Sequence, residues 1–206
     1  MNRSDFSSVW KDGGNVDASG AKLDLVQHLK KQSEIKPFMA AKMASEEVIV
    51  KRADLARNVP GFKVLEIGVG LGDDLKSLAM RFEHGSVDVT GIDFNQEMVD
   101  AATATCAGLA RIIKCDFFEA RKILELHSFD AIRACITIQH LGDGRVDEIL
   151  QIIRDLLKPG GIFVSVEGKK KKTTIFALSL FSQGASSNWY CADEFVTQTY
   201  DKLMPS

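Results

Sequence analysis

The chain has 206 residues, 45% of them hydrophobic and 26% charged, which suits one substantial core and falls short of two ordinary domains. That balance excludes disorder over the whole length. Its 26 Lys plus Arg face 28 Asp plus Glu, a formal charge of -2, so there is no broad basic surface for general nucleic-acid binding.

Residues 1–20 are rich in Ser, Gly, Asn and Asp and read as an irregular arm with Phe6, Val9 and Trp10 as anchors. Asp17 or Ser19 caps an expected helix containing Leu23, Val26 and Leu29. A second helical region is expected over 34–58, with Pro37 near its start, Phe38, Met43, Val48 and Leu55 as apolar positions, and Lys42, Glu46, Lys51 and Arg57 on other faces. Pro60-Gly61 stops it. Residues 1–58 therefore form an N-terminal arm and helical cap on a core spanning 59–206.

From there strands and helices alternate. Strands are expected at 64–67, 87–93, 110–115, 129–136 and 162–166, with helices over 74–83, 96–107, 120–126 and 143–157 between them. Lys158-Pro159-Gly160-Gly161 makes a tight turn into the fifth strand. Near-continuous apolar strands separated by helical lengths specify an α/β fold: a Rossmann-like, mostly parallel sheet with helices on both faces. After the Lys169 to Lys172 run, a sixth strand is expected within 174–180 and a late helix over 193–204, which abbreviates the C-terminal strand set. Cys106, Cys115, Cys135 and Cys191 lack CxxC spacing and read as buried thiols with no metal site. The N-terminus has no apolar secretory run and no segment is long and apolar enough to cross a bilayer, which makes the cytoplasm the expected compartment.

The chemistry gathers at the carboxyl ends of the first strands. In Glu66-Ile67-Gly68-Val69-Gly70-Leu71-Gly72, glycines at a sharp strand-to-helix turn permit both the backbone geometry and close approach of a ligand. Glu66 either accepts from an ammonium or orders water beside it, or it is structural and paired with a nearby donor. Asp93, ending the second strand, offers two oxygens to paired ribose hydroxyls. Asp116 ends the third strand and either accepts an adenine amine or caps the next helix; Phe117 beside it covers a ring face or joins the core. Phe94 and Met98 are candidates for the adenosine wall, Met98 equally for the core. Together these residues mark a nucleoside-cofactor cleft.

The ordered set resembles the class I S-adenosylmethionine-dependent methyltransferases, especially the small-molecule enzymes of the UbiE and type 11 kind, over about residues 60–168. The resemblance implies that the Glu66 to Gly72 loop surrounds the methionine portion of S-adenosylmethionine, that Asp93 holds ribose, and that Asp116 and Phe117 contact adenine. Phe129-Asp130-Ala131-Ile132-Arg133-Ala134 resembles the family's fourth strand, Ile138-Gln139-His140-Leu141 its following loop, and Leu156-Leu157-Lys158-Pro159-Gly160-Gly161 the approach to strand five. A terminal antiparallel strand pair, usual in the family, has no clear match. An NAD-binding reading is disfavoured because Asp73 stands where that fingerprint expects Gly or Ala, beside an incoming pyrophosphate.

Methyl transfer requires an in-line nucleophile and exclusion of water, with no universal catalytic base. His140 either takes a substrate proton or organises its loop; Arg133 either orients an anionic substrate or pairs with a nearby carboxylate. Glu167 is a further candidate, as are Trp10 or Phe38 as an aromatic wall and Lys36 or Lys42 toward an anionic group. The expected activity is methyl transfer to a small-molecule acceptor by a monomer or homodimer, leaving S-adenosylhomocysteine. A noncatalytic binder of the same cofactor, or a protein or RNA methyltransferase, is the alternative.

Overall fold

The computed structural model describes residues 36–55, 61–83, 85–141, 145–168, 176–182 and 190–191. Trp10, the helix expected around Leu23, the Lys169 to Lys172 run and the late helix expected over 193–204 lie outside them. Among the described residues the order is α1 (Lys36–Leu55), β1 (Phe62–Ile67), α2 (Asp73–Ala79), β2 (Val87–Asp93), α3 (Gln96–Cys106), β3 (Arg111–Lys114), a 3-10 turn (Phe117–Glu119), α4 (Ala120–Ile123), β4 (Phe129–Cys135), a second 3-10 turn (Ile138–His140), α5 (Val146–Leu156), β5 (Leu157–Gly168), β6 (Phe176–Ser182) and β7 (Tyr190–Cys191).

The strands form one sheet in the order β3-β2-β1-β4-β5-β6-β7. Its first five strands are parallel, and β6 and β7 add antiparallel. The Rossmann-like architecture with an N-terminal helical extension is as expected from the sequence. Winding proceeds outward from β1 through β2 to β3, then returns to the other side of β1 with β4. That reversal opens a crevice at the carboxyl ends of β1 and β4, the usual ligand position in open α/β sheets.

Strand alternation divides the core. Leu65, Ile67, Ile132, Ala134 and Phe163 face Ile149, Ile152, Ile153 and Leu156 of α5, while Val64, Ala131, Ile162, Val164 and Val166 face Ile49 of α1 and Leu78 of α2. Two-sided burial explains why these strands read as continuous apolar runs.

Three local expectations are revised. In α1, Lys42 and Glu46 are buried at 7% and 3% exposure while Met43 is 59% exposed, the reverse of their expected faces. Lys42, Ser45, Glu46 and Ile49 recur at helical spacing along the inward stripe, and charged partners on the sheet side receive the polar members. The expected turn before the fifth strand is an irregularity within β5. Leu157 already pairs with Phe129 and Ile162 with Ala131, so the intervening residues bulge, held where Arg52 Nη2 donates to the Gly160 carbonyl at 2.7 Å. The sixth strand is seen at Phe176–Ser182, overlapping the expected span, and with β7 it forms an antiparallel pair for which the sequence has no clear match.

Gly72 closes the turn into α2 at φ 84°, and a Cβ there would lie 2.8 Å from the Ala102 Cα of α3. Left-handed backbone costs an L-residue about 1–2 kcal/mol before any clash. Gly72→Ala is therefore expected to lose at least about 2 kcal/mol of stability in urea unfolding; a loss within about 0.5 kcal/mol would contradict this packing.

Candidate cofactor site

The turn between β1 and α2 folds over the end of β2. Gly68 and Val69 N–H groups both donate to the Ile92 carbonyl, at 2.8 and 3.1 Å. Gly70 N–H donates to Asp93 Oδ2 at 3.1 Å, while Asn95 N–H donates to Asp93 Oδ1 at 2.9 Å. Asp93 thus anchors the glycine turn and starts the next loop with one carboxylate. Burial raises its pKa, opposed by the N–H groups of Asn95, Gly70 and Phe94. Asn95 caps α3 by accepting from Glu97 N–H at 2.8 Å.

The other expected adenosine contacts are distributed around this edge. Phe94 is exposed and Met98 is buried in α3. Asp116 caps the first 3-10 turn, accepting from Phe118 N–H at 3.0 Å. Phe117 packs in the main core beside Ile67 and Ile92, and meets Phe118 edge-on with centroids 5.5 Å apart. The Arg145 guanidinium lies over the Phe118 ring, 3.3 Å from its centroid.

Glu66 and Arg133 sit directly opposite each other in the β1/β4 register, on the sheet face covered by α1 and α2. Arg133, fully buried, donates through Nε to Glu66 Oε2 at 2.7 Å, and its Nη2 also donates to that oxygen and to the Asp74 carbonyl at 2.7 Å. Glu46 Oε1 stands 3.6 Å from Arg133 Nη1, an ion pair beyond hydrogen-bond reach in which neither atom has a hydrogen-bond partner. Lys42 Nζ pairs with Asp74 Oδ1 at 2.6 Å. Of the two sequence readings of Arg133, the structure displays the carboxylate pairing. Sequence reasoning flagged Glu66 and Arg133 separately and missed Glu46. A carboxylate in the inward i, i+3, i+4, i+7 stripe of α1 was the available signal.

Burial pushes Glu66 up to about 7, with Arg133 pulling the other way. A folded-state pKa above the ordinary 4.5 means that the native state binds more protons than the unfolded chain between those values. Glu66 therefore contributes stability that is complete below about pH 4.5 and lost as pH rises through about 7. Glu66→Gln is expected to flatten that part of the melting-temperature profile between pH 5 and 8. An unchanged slope would reject the assignment.

At the crevice, the Thr137 hydroxyl lies 3.1 Å from the Cys135 carbonyl and 3.5 Å from the Gly68 carbonyl. His140 is half-buried at the end of the second 3-10 turn, its N–H donating to the Thr137 carbonyl at 3.0 Å. Glu167, at the end of β5, accepts from Ser165 Oγ at 2.8 Å and from Ile138 N–H at 3.0 Å. Burial holds the thiols of Cys106 and Cys115 up at about 11, so they are protonated packing groups. Among the described residues there is no cluster suited to a metal ion, and no helix long and apolar enough to cross a membrane.

A mostly parallel, Rossmann-like sheet thus carries a first glycine turn tied to a carboxylate at the end of the second strand. Residues 64–161 match the family model described as a methyltransferase domain. The chain is 28% identical over 127 residues to an O-methyltransferase of Pyrenophora dematioidea, covering 60% of this chain and 46% of that protein. It is also 28% identical over 137 residues to the cyclopropane-fatty-acyl-phospholipid synthase of Escherichia coli (strain K12), covering 66% of this chain and 33% of that one. It thus spans less than half the length of either relative. The crystal structure of the CurJ carbon methyltransferase shares the fold, with TM-score 0.66 and 19% identity over 81% of this chain and 42% of that chain.

Proposed function

We propose that this chain binds S-adenosylmethionine and transfers its methyl group to a small-molecule acceptor. The observation that carries the reading is Asp93, whose oxygens take Gly70 and Asn95 N–H groups at the mouth of the glycine turn. A carboxylate so held has its orientation set before a ribose diol arrives, with lone pairs left to accept from it. The charge of the neighbourhood suits the same ligand. Asp73 occupies the first turn of α2, where it opposes a diphosphate and favours an ammonium or sulfonium, while the neighbouring Asp74 is paired with Lys42.

Bound there, S-adenosylmethionine supplies an electrophilic methyl group. The chain's own residues bind, orient and exclude water. Gly68, Gly70 and Gly72 supply the positive-φ backbone of the turn against the methionine portion, Gly68 and Gly72 packing closely on Thr137 and Ala102, and Asp93 grips ribose. Asp116 and Phe94 border the adenine, with Phe117 and Met98 supporting the wall from the core. Arg133 holds Glu66 and the start of α2 in place, acting from beneath the site. His140 lies at the acceptor end and takes the acceptor's proton where the chemistry releases one.

The O-methyltransferase, the cyclopropane synthase and the carbon methyltransferase differ in the reactions their names describe. They select no acceptor atom here. Small acceptors fit a chain with net charge -2 and no basic nucleic-acid footprint, working in the cytoplasm as a monomer or homodimer. Incubation of the chain with methyl-labelled donor and fractionated metabolite extract tests the proposal. Label is expected in a small molecule. Label confined to protein or RNA would replace the acceptor class, and tight S-adenosylhomocysteine binding without any transfer would make the chain a noncatalytic binder.

A further inference from the structure

The segment leaving β4 carries a conformational cost that its surroundings must hold. Ile136 is β-branched yet sits at φ 50°, in the left-handed region that such residues avoid. Its N–H donates to the Val166 carbonyl at 2.7 Å, continuing the β4/β5 ladder by one rung. Beyond it, Thr137 and Ile138 direct successive N–H groups toward Glu167 Oε1, at 3.4 and 3.0 Å. Ser165, two residues before Glu167 on the same face of β5, donates its hydroxyl to that oxygen at 2.8 Å. Glu167 is 8% exposed and Ser165 3%. One shielded carboxylate oxygen therefore gathers three donors, two of them consecutive amides of the strained segment.

This arrangement sets what lies across the crevice. A Cβ on Gly68 would stand 2.5 Å from Thr137 Oγ1, so the first glycine of the cofactor turn is packed directly against the segment that Glu167 restrains. Three residues further on the same segment delivers His140.

The geometry points to Glu167 as a positioning residue: its carboxylate pins residues 136–140 over the β1/β4 crevice, and so sets both cofactor affinity and the direction of His140. This inference rests on the proposed cofactor site. It replaces direct participation of Glu167 in chemistry with action through the Thr137 and Ile138 amides.

The test compares full-length wild type with Glu167→Ala, Glu167→Asp and Glu167→Gln, using S-adenosylhomocysteine calorimetry and amide hydrogen exchange. Glu167→Ala is expected to weaken S-adenosylhomocysteine about tenfold, because the segment against the cofactor turn loses its anchor, and to speed Ile138 amide exchange about 100-fold. Glu167→Asp, one methylene short, is expected to behave in the same way and serves if the alanine variant does not fold. Glu167→Gln keeps an acceptor oxygen at the same reach and is expected to restore affinity to within about threefold. A purely structural latch would leave affinity unmoved in the folded variants. Wild-type affinity in folded Glu167→Ala and Glu167→Asp overturns the inference whatever the exchange rate, as does a glutamine variant no better than alanine. If the wild type itself fails to bind S-adenosylhomocysteine, the cofactor reading fails and the affinity part of the inference with it. The exchange rate at Ile138 then decides separately whether Glu167 pins the segment.

Discussion

Arg133→Ala is expected to destabilise the chain by about 3–5 kcal/mol in denaturant unfolding, a large share of the roughly 5–15 kcal/mol that holds most domains together. The cause is the state it leaves behind more than the contact it removes. Glu66 and Glu46, 1% and 3% exposed, would remain in the interior without the guanidinium that faces both. The Asp74 carbonyl would also lose its donor at the start of α2. Removing charge from both principal partners, as in Arg133→Met with Glu66→Gln, is expected to recover part of the loss, because a buried pair contributes less than its broken half costs. A loss below about 1 kcal/mol for Arg133→Ala would show that the cluster does not organise this face of the sheet.

The second large effect is expected on the ligand. Asp93→Ala removes both oxygens proposed to hold ribose and leaves the N–H groups of Gly70 and Asn95 without their acceptor. Hydrogen bonds to a charged group contribute about 1.5–3 kcal/mol each, so S-adenosylhomocysteine affinity should fall by about 100-fold or more. Asp93→Asn retains one acceptor oxygen and should fall in between. Because Asp93 lies at a strand end, the alanine variant is expected to keep its circular dichroism spectrum, which separates lost binding from lost fold. Undiminished affinity in a folded Asp93→Ala protein would remove this residue from the cofactor site.

The parts of the site legible in the sequence are those encoded within one strand-turn-helix unit. Gly68, Gly70 and Gly72 announce positive-φ positions because no side chain fits there, and all three adopt them, at 72°, 51° and 84°. Asp93 was recognisable as a carboxylate closing an apolar strand. What resisted was set by register. Glu66 and Arg133 stand 67 residues apart and meet only because β1 and β4 pair with those positions opposed. The face of α1 was misread for a related reason. Hydropathy places Lys42 and Glu46 toward water and Met43 inward, whereas the sheet below presents Asp74 and Arg133 as partners for the two charged side chains. The strained exit at Ile136 and its Glu167 anchor likewise depend on β5 running past its last pair with β4, Val166 with Cys135, which no local pattern announces.

The central claim is that the glycine turn and Asp93 together hold a sulfonium nucleoside, and calorimetric titration of the intact chain with S-adenosylmethionine, S-adenosylhomocysteine and NAD tests it most directly. The account predicts saturable one-to-one binding of the first two and no heat from NAD. Folded protein that takes up neither sulfur compound, or that prefers NAD, would contradict it.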